Sequence, residues 1–321
     1  MGLNEWFRFL RNKGYDPTIL NQTTIANMET KRRRVDVLGV SYRVIRDVYS
    51  KNSHDRAHAL MFKELSKYGS TSSLVLYIDG LQAEEKADTF AIREATRKQA
   101  VARCTTSLDT LETRIQNNQC IRKRHFTDVR TSLSSSFYWS LPCRKELVDF
   151  LRSAGLDARL CPTEADLAIA KDFEESDVAI SGDSDMLAYA AITTLWRPIS
   201  KGLILEYKIA NLLLVLAVSR AQLTALAVVS KSDYGKNIFS LGPTTNYSVV
   251  KSIAGNGNIA LATKKANFLC PQKLVGSGSK RFSVFWCGEK SLRVQERRKR
   301  YILGVSTDHI FEHRGEEGLS G

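Results

Sequence analysis

The segment 161–189 constrains the fold of this chain more than any other part of the sequence. It carries two acidic pairs spaced i, i+2, which are Glu164 with Asp166 and Asp183 with Asp185. The second pair follows the apolar run 178–180, which predicts a buried strand, and extended backbone past that strand would place both aspartates on one face. Open α/β sheets bind ligands just beyond the carboxyl ends of their strands. The pattern therefore predicts an α/β sheet with acids at its binding edge.

Two interpretations of these acidic pairs are open. Carboxylates gathered at a strand edge are costly unless they are neutralised, and Mg²⁺, which prefers oxygen ligands, would neutralise them. Alternatively, each pair begins a helix, since Thr163 with Asp166 fits a capping box and Asp183 with Asp185 precedes a helical stretch. Each pair taken alone slightly favours the capping interpretation, and acids at other strand ends would shift the balance.

Two other apolar runs carry an aspartate at or near their ends. Asp36 lies within the short strand predicted after the basic run 31–34, and Asp79 ends the run 74–78. Five consecutive apolar residues are typical of a parallel strand that is buried on both faces. Since unpartnered buried carboxylates are rare, Asp36 needs either an arginine partner or a metal ion. Acids at three strand ends favour the metal interpretation.

A helix predicted over 86–99 follows Asp79. Lys86 and Arg93 are two turns apart and so share one face of this helix, and Arg97 follows one turn later. Above a cluster of metal-binding carboxylates, that face would hold a scissile phosphate. The alternative is a solvated face whose charge is balanced by neighbouring acidic residues.

The charge of the chain indicates a polyanionic partner. The 321 residues carry a formal net charge of +13, and the pI is about 9.5. Nucleic acid is the simplest such partner, although a basic surface also serves solubility alone. The basic runs 31–34 and 122–124 are candidate contacts to a phosphate backbone. They also favour a nuclear location, with the cytoplasm as the alternative.

Cysteine and histidine spacing predicts reduced thiols and no zinc site. The six cysteines form no CxxC motif and no Cys/His cluster in the sequence. His54 and His58 are spaced i, i+4, but without a cysteine or a third histidine nearby a surface-and-core role is favoured. The N-terminus carries no apolar leader, and the most apolar segment, 209–219, is too short to span a bilayer. No membrane partner is expected.

The remaining periodicity outlines the order of the elements. Helices are predicted over 3–13, 40–67, 86–99, 144–154, 208–217, 220–230 and 245–253. Strands are predicted over 73–79, 157–160, 178–180, 193–197 and 203–207. Residues 14–30 are predicted to be a loop, and the polar, basic segment 114–136 is predicted to form a cap. The predicted domains are 1–207, the helical region 208–253, and a basic and partly disordered extension over 254–321.

The order of these features resembles the flap endonuclease/XPG family of structure-specific nucleases, whose nuclease domain is PIN-like. The resemblance covers about residues 1–253. In that family seven carboxylates hold two Mg²⁺ ions, for which Mn²⁺ can substitute. The matching positions in this sequence are Asp36, Asp79, Glu164, Asp166, Asp183, Asp185 and Asp233, where Asp166 replaces the usual glutamate. Lys86 and Arg93 match the family's catalytic cations, and Gly2 its N-terminal glycine.

The resemblance implies a fold and a function. The implied fold is a PIN-like, mostly parallel central sheet flanked by helices and followed by a helix-turn-helix-type region that binds duplex DNA. The implied activity is a metal-dependent 5′ nuclease acting on flaps, branches or free 5′ ends of DNA in repair or replication. The implied nucleic-acid contacts are Gly2, Arg32, Arg33, Arg97, Arg122, Lys123, Arg124 and Gly242.

The sequence also departs from the family pattern. Ser240 replaces the first glycine of the family's Gly-x-Gly-Pro turn, which puts the grip on duplex DNA in question. No sliding-clamp motif occurs in the tail. Two alternatives therefore stay open: a non-catalytic PIN-like protein that binds nucleic acid or acts as a scaffold in RNA regulation, and a nuclease directed at RNA.

Overall fold

A seven-stranded sheet forms the centre of the fold. The computed structural model describes residues 6–253 except 22–23, 26–27, 29–30, 84–85, 200–201 and 231–241. The strands are β1 (Thr18–Asn21), β2 (Arg33–Asp36), β3 (Leu74–Ile78), β4 (Asp157–Leu160), β5 (Val178–Ile180), β6 (Thr194–Pro198) and β7 (Leu203–Lys208). Their spatial order is β1-β7-β6-β5-β2-β3-β4. Neighbouring strands are parallel throughout the part β6-β5-β2-β3-β4. Strand β7 is antiparallel to both of its neighbours, β6 and β1. The predicted mostly parallel α/β sheet is confirmed.

Helices flank this sheet. They are α1 (Trp6–Asn12), α2 (Val37–Tyr49), α3 (His54–Leu65), α4 (Ala87–Gln116), α5 (Lys123–Ser136), α6 (Leu141–Ser153), α7 (Ala165–Asp172), α8 (Ile209–Leu216), α9 (Arg220–Val229) and α10 (Pro243–Ile253). Short 3₁₀ helices cover Ser66–Tyr68 and Ser184–Ala188.

The apolar strand β3 separates two hydrophobic cores. Leu76 packs into one core together with side chains of α2, α3 and α6. Tyr77 packs into the other, together with side chains of α7, α8 and α9. All five residues of β3 are buried. Alternation along a strand that is covered on both faces explains why its sequence is continuously apolar.

The predicted loop 14–30 contains the edge strand β1, so that prediction is wrong in part. Thr18–Asn21 pairs antiparallel with residues 203–206 of β7. Leu20 is the single buried residue of this strand. A four-residue segment with one buried position carries no readable alternation, and pairing with β7 makes it a strand.

Two predicted helices have different bounds in the structure. The helix expected over 40–67 is divided into α2 and α3 by residues 50–53, with Ser53 at the N-cap position of α3. The helix expected over 86–99 continues to Gln116 as α4. With 30 residues, α4 spans about 45 Å. Helix α5 packs against it, so the segment predicted as a cap forms the end of α4, the turn and α5.

The predicted helical region 208–253 contains α8, α9 and α10. The predicted extension 254–321 lies outside the described residues, as does Ser240. Within the described ranges, no single helix is long and apolar enough to cross a membrane. Helices α8 and α9 reach that length and apolarity only together, and a bend of 84° separates them.

Candidate functional site

The carboxyl ends of β2, β3 and β5 meet at a topological switch point. From β2 the chain adds β3 and β4 on one side, and it then returns to add β5 and β6 on the other. Such a reversal opens a crevice in which α/β proteins bind ligands. Asp36 is the last residue of β2, Asp79 directly follows β3, and Asp183 comes shortly after β5. The structure thus brings the three predicted strand-end acids to one edge, which we call the acidic edge.

Asp36 is fixed by two hydrogen bonds. Its Oδ1 accepts the backbone N–H of Gly39 (2.8 Å), which makes Asp36 the N-cap of α2. Its Oδ2 accepts the hydroxyl proton of Ser181 (2.7 Å). The Ser181 oxygen in turn accepts the N–H of Asp183 (3.0 Å). Ser181 therefore sets the position of Asp36 relative to Asp183 and joins the ends of β2 and β5.

Glycines allow this close approach. A Cβ atom at Gly39 would overlap Asp36 Oδ2 and lie 2.7 Å from Ser181 Oγ. A Cβ atom at Gly182 would lie 2.6 Å from the carbonyl oxygen of Gly39. The first turn of α2 thus rests directly on the backbone that follows β5.

Asp79 connects β3 to the start of α7. Its Oδ1 accepts the N–H of Ala165, the first residue of α7, at 2.7 Å. A carboxylate is favourable at a helix N-terminus. The guanidinium of Arg144 on α6 donates to the carbonyl oxygens of Asp79 (3.3 Å) and Gly80 (2.9 Å). The backbone that carries Asp79 is therefore held from two helices.

Glu164 and Asp166 lie at the start of α7 beside Lys86. Lys86 Nζ is 2.5 Å from Glu164 Oε1. Asp166 Oδ2 accepts the hydroxyl proton of Tyr189 (3.0 Å), and its Oδ1 accepts the N–H of Leu167 (2.7 Å). The first acidic pair of the sequence thus joins the second at the acidic edge.

The capping interpretation holds for one acidic pair and fails for the other. The N-cap residue of α7 is Glu164, whose side chain makes no capping hydrogen bond, so the capping box predicted for Thr163 and Asp166 is wrong. Asp183 does cap the following 3₁₀ helix, because its Oδ1 accepts the N–H of Asp185 (3.0 Å). Asp185 itself is 3% exposed.

The carboxylates of the acidic edge repel one another. Burial, and then the charge of Asp79, raise the pKa of Asp36 to about 7. Burial, and then the charge of Asp166, raise the pKa of Glu164 to about 7, although Lys86 opposes the shift. The pKa values of Asp79 and Asp166 are also raised, chiefly by burial. The nearby cations do not balance the charge of these carboxylates, and a divalent ion would supply the missing positive charge.

The donor atoms of the acidic edge suit a hard divalent cation. Each of these side chains offers carboxylate oxygens, which are the ligands that Mg²⁺ and Mn²⁺ prefer. Among the described residues, a close group of three ligand atoms occurs away from the acidic edge. It consists of His54, Cys143 and Glu146, whose ligand atoms all lie within 4.8 Å of one another. No three carboxylates of the acidic edge come so close in the described residues, and Mg²⁺, which keeps several bound waters, does not require it.

The predicted cations of α4 differ in their surroundings. Lys86, at the N-cap position of α4, lies against the acids. Arg93 is exposed two turns further along α4. Arg97 is paired with Glu94, and its guanidinium lies 4.1 Å from the centroid of the Tyr138 ring.

The prediction that Arg33 contacts nucleic acid is wrong. Arg33 is 1% exposed, and its guanidinium donates to the carbonyl oxygens of Tyr68 (2.7 Å), Ile25 (2.6 Å) and Met28 (3.0 Å). An arginine enclosed by backbone carbonyls cannot reach a phosphate, and its role is to stabilise the fold. Arg32 differs, since its side chain is 45% exposed and lies 3.5 Å from Asp157.

The other predicted nucleic-acid contacts lie at the turn after α4, before α10, or outside the described residues. Arg122, Lys123 and Arg124 are exposed at the turn between α4 and α5, a helix length of about 45 Å from Lys86. Gly242 precedes α10, and its carbonyl oxygen accepts the N–H groups of Thr245 and Asn246 (both 3.1 Å). Gly2 and Asp233 lie outside the described residues.

Sequence reasoning missed the residues that hold the acids in place. They are Ser181, Tyr189, Arg144 and Gly39. Ser181 and Gly182 precede the pair Asp183/Asp185, and this proximity is the one local signal. Arg144 is 65 positions from Asp79. Nothing local in the sequence connects residues so far apart.

Comparisons with solved structures identify the arrangement. The catalytic core of Rad2, in a complex with its DNA substrate, superposes with a TM-score of 0.51 and 19% identity, over 86% of this chain and 75% of that chain. Flap endonuclease-1 from Methanococcus jannaschii superposes with a TM-score of 0.50 and 14% identity, over 84% of each chain. This chain has the flap-endonuclease fold. It is a divergent example, and no protein-family model and no curated protein matches its sequence. The flap-endonuclease fold confirms the PIN-like sheet that the order of the acids implied.

Proposed function

We propose that this protein is a metal-dependent, structure-specific 5′ nuclease of the flap endonuclease or 5′–3′ exonuclease type, which hydrolyses phosphodiester bonds in DNA. The observation that supports this most directly is the meeting of acids from three strand ends beside Lys86. An acidic edge formed only by tertiary structure, with raised carboxylate pKa values, is typical of a site that serves binding or catalysis.

The protein's own groups bind the metal and orient the phosphate in this proposal. The metal-binding carboxylates are Asp36, Asp79, Glu164, Asp166, Asp183 and Asp185, joined by Asp233 from the segment outside the described residues. Two Mg²⁺ ions, for which Mn²⁺ can substitute, would supply an activated water and charge stabilisation at the leaving oxygen. Lys86 and Arg93 would stabilise negative charge on the scissile phosphate.

DNA with a flap, a branch or a free 5′ end is the proposed substrate. The net charge of +13 supports a nucleic-acid partner, and the Rad2 core of the same fold was solved with a DNA substrate. The length of α4, about 45 Å, equals roughly 13 base pairs of duplex. A substrate that contacts both Lys86 and the basic turn 122–124 must therefore be extended. Repair or replication in the nucleus is the proposed setting.

The proposal is tested by cleavage of end-labelled 5′-flap, single-stranded and blunt duplex DNA, with matched RNA substrates. Reactions contain Mg²⁺, Mn²⁺ or a chelator. Metal-dependent cutting of flap DNA is expected, and the product lengths show whether cleavage occurs at the junction or from the end. Cutting of RNA alone would indicate an RNA-directed nuclease. Failure to cut any substrate, with metal bound, would favour the non-catalytic scaffold in RNA regulation.

A further inference from the structure

Helices α3 and α6 bring together a second group of ligand-bearing side chains. His54 is the first residue of α3, and Cys143 and Glu146 lie on α6. One ring nitrogen of His54, the Cys143 sulfur and one carboxylate oxygen of Glu146 lie within 4.8 Å of one another. His54 Nδ1 is 2.8 Å from Glu146 Oε2. The sequence hides this group, because 92 positions separate His54 from Glu146.

Helical periodicity explains the grouping. Cys143 and Glu146 are spaced i, i+3 on α6, and His54 and His58 are spaced i, i+4 on α3, so each pair shares one face of its helix. The two helices pack directly against each other. The absence of a cysteine near the histidines in the sequence argued against a zinc site, and folding supplies that cysteine.

His58 provides an independent observation. It is 6% exposed, and its Nε2 has no hydrogen-bond partner among the residues that the structure describes. Its ring centroid lies 6.1 Å from that of His54. A buried imidazole nitrogen without a partner is unusual in a native structure and requires an explanation such as a bound ion or water.

We propose that His54, Cys143 and Glu146 bind a zinc ion, with His58 or a water molecule as the fourth ligand. Zinc takes four-coordinate sites of nitrogen, sulfur and oxygen ligands, and this group offers all three kinds. A thiolate and a carboxylate together carry two negative charges, which match the charge of Zn²⁺. Mg²⁺ disfavours sulfur and nitrogen ligands, so the two candidate metal sites select different ions.

An ordinary surface ion pair does not account for the whole group. The side chains of His54 and Glu146 are 55% and 49% exposed, and a pair so exposed contributes little to stability. The Cys143 sulfur accepts the hydroxyl proton of Ser140 (3.1 Å) in the absence of metal. The ion pair leaves the buried His58 imidazole unexplained, whereas a zinc ion would use both it and the thiolate.

The proposed zinc ion would join α3 to α6, the helix that supports the acidic edge. Arg144, the residue after Cys143, donates to the carbonyl oxygens of Asp79 and Gly80. Fixing α6 to α3 would therefore restrain the backbone that carries Asp79. This is a structural role, and it is independent of whether the acidic edge cleaves DNA.

Cobalt provides the test, because a thiolate bound to Co²⁺ gives a charge-transfer band in the near ultraviolet. The full chain is reduced, stripped of metal and kept in excess MgCl₂, which occupies the acidic edge. CoCl₂ is then titrated in. A thiolate band that saturates at one equivalent and is displaced by ZnCl₂ is expected.

Variants decide whether the band arises at this site. Cys143→Ser should abolish it, whereas Cys120→Ser, at an exposed cysteine in the turn after α4, should retain it. Glu146→Gln should weaken cobalt affinity by at least about tenfold. His58→Ala distinguishes histidine, if affinity falls, from water, if it does not.

Thermal stability supplies a second readout. ZnCl₂ should raise the Tm of the wild type and of Cys120→Ser, and it should leave the Tm of Cys143→Ser unchanged. The increment caused by zinc is compared within each variant, so a lower starting Tm does not obscure the result. Absence of a thiolate band, or a band that Cys143→Ser leaves intact, would overturn the proposal.

Discussion

The Lys86 ammonium lies 2.5 Å from the Glu164 carboxylate, and this contact joins the start of α4 to the start of α7. Lys86 also opposes, through its charge, the upward pKa shifts of Glu164, Asp166 and Asp79. One cation is therefore shared among three acids. We propose that this lysine also meets the incoming phosphate.

Replacing this lysine should impair cleavage more than binding. We expect Lys86→Met to lower kcat by about 100-fold or more, because a preorganised charge at the scissile phosphate is lost. The matched control is Lys98→Met, an exposed lysine on the same helix. Single-turnover cleavage and DNA affinity are measured for both. A normal kcat for Lys86→Met would remove Lys86 from the chemistry.

Ser181 should determine how much Mg²⁺ cleavage requires. Ser181→Ala removes the hydroxyl that donates to Asp36 and accepts the N–H of Asp183. We expect a higher Mg²⁺ concentration for half-maximal cleavage, together with a loss of about 1–3 kcal/mol in the free energy of unfolding. Ser153→Ala, at an exposed serine near the end of α6, is the control. An unchanged Mg²⁺ requirement would contradict this role of Ser181.

Gly39→Ala should destabilise the protein, although helix propensity alone favours alanine by about 1 kcal/mol. The new Cβ would overlap Asp36 Oδ2 and crowd Ser181 Oγ. The Asp36 carboxylate must then move. We therefore expect a loss of cleavage activity that is larger than the fraction of unfolded protein explains. Chemical denaturation and a cleavage assay measure the two effects. A variant that is more stable and fully active would show that the contact is not needed.

The metal-free protein should become more stable as the pH falls from 8 to 6.5. Asp36 and Glu164 have pKa values of about 7 in the folded protein, against 3.8 and 4.5 as ordinary values. Folding therefore takes up protons in this range, and stability rises as the pH falls through the folded-state pKa values. Below pH 6.5 the buried His58, whose pKa is lowered, opposes the trend.

Thermal melts in a chelator test the pH dependence. The double variant Asp36→Asn/Glu164→Gln, which cannot take up these protons, should show a flatter profile than the wild type. A wild-type Tm that is constant or falls between pH 8 and 6.5 would contradict the electrostatic description of the acidic edge.

The sequence predicted those parts of the fold in which local pattern and tertiary structure agree. Strands β4 and β5 have the predicted bounds, because each is a short run between clear turns. The strand-end positions of Asp36 and Asp79 follow from the strands themselves, so the acidic edge was predictable in outline. Edge strand β1 was not, because its four residues carry no alternation and depend on β7 for pairing.

Other features required the tertiary structure. The four cations at 31–34 read as one basic run, yet Arg33 is buried among carbonyls while Arg32 is exposed. Arg34 is buried as well, because both faces of β2 are covered, whereas Arg32 precedes the strand. The sequence shows the run but not which member reaches solvent. The pairing of Tyr189 with Asp166, and that of His54 with Glu146, join separate elements and leave no local signal.

The Asp183→Asn variant tests the central claim most directly. Asp183 Oδ1 accepts the N–H of Asp185, and the asparagine carbonyl can accept the same bond, so the fold should be preserved. The exposed Asp109→Asn on α4 is the matched control. Cleavage of 5′-flap DNA in Mg²⁺ and DNA affinity in a chelator are measured for both variants and the wild type. We predict that Asp183→Asn loses cleavage while its affinity and Tm stay close to wild type; equal loss of cleavage and binding in a folded variant, or full cleavage, would contradict the account.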